Sequence, residues 1–79
     1  MQRELRQALN TAYARLKNAD AASPSSFAGT YALALGIVVG GQACQGMSET
    51  EAAEARAHLG MLAALFEARA RTSSRLGAQ

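Results

Sequence analysis

The chain has no tryptophan, one cysteine, one histidine and one proline in 79 residues, and no charged side chain between Asp20 and Glu49. Each shortage excludes something. A lone cysteine cannot close a disulfide within the chain. One cysteine and one histidine cannot supply a four-ligand structural zinc site. A chain this short is one domain at most, and its modest core leans on disulfides, metals, association or well-formed helix packing. With the first two excluded, association and helix packing remain. Proline is confined to Pro24, and periodic Ala, Leu, Arg and Glu point to helix rather than sheet. The net charge of +2 is too mild to mark a nucleic-acid protein and argues against an acidic DNA mimic. The free Cys44 suits a reducing, cytoplasmic setting. No apolar run with a cleavage site directly follows the charged start Met1-Gln-Arg-Glu-Leu-Arg, so a signal peptide is not expected.

What fills the charge-free segment is a run of small residues at every fourth position: Ala28, Ala32, Gly36, Gly40 and Cys44. On a helix these share one face, where another backbone can approach closely. Ser23 as cap and Pro24 at the first turn start a helix over about 24–45. Gly46 is expected to end it in a left-handed conformation. Phe27, Tyr31, Leu35, Ile37 and Val38 supply bulk around the stripe. Four glycines, Gly29, Gly36, Gly40 and Gly41, each cost up to ~1 kcal/mol against Ala in a helix interior. The helix therefore needs a neighbour, and a break at Gly40-Gly41 is the competing reading. A membrane span over Phe27–Gly46 has the length but falls short in hydropathy, so a buried helix is preferred.

A first helix over about 2–19 carries a narrow seam of Leu5, Leu9, Ala12, Leu16 and Ala19. A third, over about 49–72, opens with the capping box Ser48-Glu49-Thr50-Glu51, with Met47 before the cap. Its seam is Ala52, Ala55, Leu59, Leu62 and Phe66, and Met61, Leu65 and Ala68 form a second ridge. Residues 73–79 are expected to fray. The short link between the second and third helices makes them an antiparallel hairpin. The fold read from the sequence is thus all-α: a single domain, 1–79, forming a small three-helix bundle. It is expected to dimerise, because the stripe and the two ridges exceed what the first helix can cover. Ala28, Ala32, Gly36, Gly40, Cys44, Leu59, Leu62 and Phe66 are the expected helix-packing and oligomer interface.

Catalytic chemistry finds little purchase. Glu49, Glu51 and Glu54 read as helix N-terminal charge. His58, four residues after Glu54, reads as a surface pair with it, and Cys44 as a structural thiol. No enzyme activity, cofactor or metal is expected. Gly40-Gly41 lacks the Lys-Ser/Thr of a phosphate loop. Arg15, Lys17, Arg69 and Arg71 can gather at one end of an up-down-up bundle as a basic patch for an acidic protein or for phosphate.

The segment Tyr31-Ala-Leu-Ala-Leu-Gly-Ile-Val-Val-Gly-Gly-Gln-Ala-Cys-Gln-Gly-Met-Ser-Glu-Thr-Glu resembles a pattern in small phage and prophage accessory proteins. These join a Gly/Ala-rich helix, a Gly-hydrophobic-Ser/Thr turn and an acidic-start helix. The resemblance implies a non-enzymatic protein that binds and inhibits or redirects a host protein, as anti-CRISPR and anti-quorum-sensing proteins do. It transfers no individual functional residue. The expected function is a cytoplasmic, homodimeric protein-interaction module. The alternatives are a nucleic-acid-associated regulator using the basic patch and a holin-like membrane protein.

Overall fold

The computed structural model describes the backbone of residues 1–77 and the side chains of residues 1–72. Three helices, α1 (Arg3–Lys17), α2 (Pro24–Ala43) and α3 (Glu49–Gly77), make up the fold, with no strand among the described residues. Each helix touches the other two.

The α1 seam behaves as its spacing predicts: Leu9, Ala12 and Leu16 are buried. Glu4 in the first turn and Arg15 and Lys17 in the last complement the helix dipole. The helix stops two residues before the expected Ala19. Asp20 takes over the backbone there, accepting the Ala22 N–H on Oδ1 at 2.9 Å and the Ser23 N–H on its carbonyl at 2.9 Å. A side chain that bonds forward in this way competes with helix continuation.

α2 begins at Pro24, but Ser23 caps with its backbone and not its hydroxyl. The Ser23 carbonyl accepts the Ser26 and Phe27 amides at 3.2 and 3.3 Å, and its side chain makes no capping bond. The helix runs unbroken through Gly40-Gly41 and ends at Ala43. Its terminus corrects the expectation for Gly46. The left-handed residue is Gln45, at φ 59°, and no described glycine has a positive φ. The Gly46 amide reaches back to the Gly41 carbonyl at 2.8 Å and the Gln45 amide to Gln42 at 3.1 Å. These are the two bonds of a Schellman ending. Gly46 is favoured for another reason. A Cβ there would lie 2.6 Å from Leu5 Cδ1, so any side chain at this position would force the Leu5 side chain to shift.

α3 opens as its sequence predicts. Ser48 N–H donates to Glu51 Oε1 at 3.0 Å, and Glu51 N–H donates to Ser48 Oγ at 3.1 Å. Met47, just before the cap, is buried, as a hydrophobic staple requires. The helix continues past Thr72 to Gly77, five residues beyond the expected end; residues 78–79 lie outside the described backbone. The 29-residue helix spans roughly 43 Å, outrunning its partners and drawing the molecule out to 50 × 18 × 15 Å.

Leu9, Leu16, Val38 and Leu59 are fully enclosed at the centre. Phe27 stacks on Phe66 with ring centroids 4.1 Å apart, and Tyr31 continues the stack at 6.0 Å from Phe27. Nearer the other end, Arg56 Nη2 donates to Gln42 Oε1 at 3.1 Å. Every core residue is apolar, so the core carries no desolvated polar group to compensate.

Candidate functional site

The residues α2 buries are Phe27, Ala34, Val38 and Gly41. Successive residues turn about 100° around a helix, so these four lie opposite Gly36. The expected packing stripe is therefore on the outside: Ala28, Ala32, Gly36, Gly40 and Cys44 are all exposed. A Cβ added at Gly36 or Gly40 would meet nothing within 4 Å. As intramolecular packing residues, these five are corrected. The physical reason is bulk: turning Phe27 and Val38 inward removes far more apolar area from water than a row of Ala and Gly can, at about 25 cal/mol per Å². Close helix approach does occur, at other small residues. Ala34 is fully buried, and a Cβ on Gly41 would lie 3.1 Å from Leu5 Cδ1.

Two residues missed by the sequence reading complete the outward face. Leu33 is 56% and Val39 58% exposed. Each lies three positions from Gly36, which was the signal available: on a helix that spacing shares a face. The whole of α2 contains no Asp, Glu, Lys or Arg, so the face is uncharged along its length. By length and composition alone, α2 also qualifies as a membrane span.

Of the expected α3 interface residues, Leu59, Leu62 and Phe66 lie in the intramolecular core. The second ridge does not. Met61 is 48% and Leu65 52% exposed, since α1 and α2 both meet α3 on the side of the main seam.

Of the four cations, Lys17 and Arg69 are brought together. Arg69 Nη1 donates to the Lys17 carbonyl at 3.2 Å, satisfying an orphan group at the end of α1. It also sits 6.0 Å from the Phe66 ring centroid. Arg15 and Arg71, each two residues from these, project about 200° around their helices from Lys17 and Arg69. Arg71 instead lines an apolar cleft with Pro24, Phe66 and Ala70.

A shallow cleft of about 300 Å³ lies between α1 and α3, lined by Arg6, Asn10, Tyr13, Glu54 and His58 among others. His58 packs on Tyr13, ring centroids 4.3 Å apart, and no described hydrogen bond joins it to Glu54. Burial raises the Tyr13 phenol above its usual pKa. At one edge, the Met1 ammonium donates to Glu51 Oε2 at 2.7 Å. That bond, with the Ser48 amide, holds the Glu51 carboxyl down at about 2. Among the described residues, no three His, Cys, Asp or Glu side chains converge as metal ligands.

Compared with known proteins, the chain matches no family model, no curated protein and no solved structure.

Proposed function

We propose that the chain is a non-enzymatic, cytoplasmic protein-interaction module. In this reading α2 and α3 form an antiparallel hairpin backed by α1, and the outward face of α2 is the docking surface, used for homodimerisation and for a protein partner. The observation that carries it is that face: an uncharged helix surface with Leu33 and Val39 more than half exposed around Gly36. Contiguous apolar surface on a small soluble protein marks interaction sites. The contacts Phe27–Phe66 and Gln42–Arg56 support the hairpin, pairing the start of α2 with the far part of α3. The phage-protein resemblance supports a host protein as the partner and inhibition or redirection as the outcome.

The test is affinity capture from the native host, run in parallel with a Leu33→Glu/Val39→Glu variant whose core is untouched. A protein retained by the wild type and lost from the variant supports the reading. Identical captured sets contradict it.

The span-like length and apolarity of α2 favour one second reading, a holin-like membrane protein. Stable solution behaviour without detergent contradicts that alternative.

A further inference from the structure

We infer, resting on the interaction reading above, that the outward face of α2 is occupied by a second copy of this chain, laid antiparallel with Gly36 on Gly36. A two-fold interface is self-complementary, so the face must match its own reversed copy. It does. In that arrangement each residue a given number of positions before Gly36 lies level with the residue the same number after it. Leu33 and Val39, about 60° to opposite sides of Gly36, pass one another, and each lies over the residue next along. Gly29 then faces Ala43. Leu33, the bulkiest exposed residue of α2, comes down over the vacancy at Gly40 of the second copy. Val39 likewise covers Ala32. Gly40 has open space around it in the single chain and can receive Leu33, and the open space at Gly36 lets the two backbones approach.

Charge favours the antiparallel orientation. At the end where α2 begins, Arg15, Lys17, Arg69 and Arg71 outnumber Asp20 and Glu67, whereas at the end where it stops Glu4, Glu49, Glu51 and Glu54 are balanced by Arg3, Arg6, Arg56 and the Met1 ammonium. Antiparallel copies set the net-positive end of each beside the balanced end of the other, whereas parallel copies set the two net-positive ends side by side. The α2 dipoles also oppose each other favourably. The 20-residue helix is roughly 30 Å long. Covering its outward face in two copies removes on the order of 1,000 Å² of surface, the lower limit for a specific interface. The dimer is accordingly concentration-dependent.

Disulfide trapping tests orientation and register. In a Cys44→Ser background, Ala43→Cys alone leaves the two thiols of an antiparallel dimer roughly 20 Å apart, so mild oxidation leaves the chains unlinked. Adding Gly29→Cys, at a position with free space, places each new thiol opposite Cys at position 43 of the other copy. The same oxidation then yields a covalent dimer. A covalent dimer from Ala43→Cys alone overturns the antiparallel register. Light scattering of the unoxidised wild type is the companion measurement. A constant monomer mass overturns self-association, as does binding to neutral-lipid vesicles without dimer in solution. Neither result touches the capture experiment, so failure of the dimer and failure of partner binding are distinguishable. Circular dichroism of each variant confirms that it folds.

Discussion

The Met1 ammonium and the Glu51 carboxylate meet at 2.7 Å, joining the start of α1 to the first turn of α3. The same carboxylate accepts the Ser48 amide through its other oxygen at 3.0 Å, so one side chain closes the capping box and anchors the neighbouring helix. Its folded-state pKa of about 2 lies below the ordinary 4.5. A depressed carboxyl pKa contributes stability that is fully present above 4.5 and is lost as pH falls from there toward 2. Melting temperature measured against pH for the wild type and Glu51→Gln checks this. Glutamine keeps the capping geometry, so the difference is the ionic part. It is largest near neutrality and shrinks through that acidic window.

Neighbouring substitutions at the end of α2 have opposite signs. Gln45 holds a left-handed conformation that L side chains adopt at a cost of roughly 1–2 kcal/mol. Glycine relieves that strain while adding freedom to the unfolded chain. Gln45→Gly is expected to stabilise by about 0.5–1 kcal/mol in chemical denaturation. Gly46→Ala drives a methyl into Leu5 Cδ1 and is expected to destabilise by about 1–3 kcal/mol. The same denaturation series measures both.

Within α3, burial separates residues of like chemistry. Leu59 is fully buried and Leu65 is 52% exposed. Leu59→Ala is expected to cost about 2–5 kcal/mol, a large part of a small domain's stability. Leu65→Ala is expected to change stability by no more than about 0.5 kcal/mol. Urea midpoints at a concentration where the protein is monomeric compare the two.

At Gly36 the fold and the proposed interface respond oppositely. With nothing within 4 Å of an added Cβ, Gly36→Ala gains helix propensity and is expected to stabilise the monomer by about 1 kcal/mol. The same methyl enters the closest approach of two copies and is expected to weaken dimerisation by about tenfold. Gly36→Leu, larger still, is expected to abolish the dimer. Thermal melts at low concentration read the first effect, and mass measured at high concentration reads the second.

Local signals were the most legible part of this fold. The Ser48–Glu51 box, the Pro24 start and the Leu9–Ala12–Leu16 seam each depend on residues within a turn or two, and each is found where the sequence places it. What the sequence did not reveal depends on competition between faces. In α2 both sides are apolar, so periodicity could not say which turns inward; the bulk of Phe27 and Val38 decided it. Gly46 carried the expected residue type for a left-handed turn. The helix caps at Cys44, which puts the positive φ on Gln45, and Gly46 instead passes close to Leu5, a contact across more than half the chain.

The central claim is that the outward face of α2 is an interaction surface and that the chain pairs through it. Sedimentation equilibrium of the wild type across a wide concentration range tests it most directly, with Leu33→Glu/Val39→Glu alongside. The account predicts a mass rising from the 8.2 kDa monomer toward twice that value in the wild type, and a mass fixed at the monomer in the variant. A wild type that stays at 8.2 kDa throughout, or a variant that dimerises as the wild type does, would contradict it.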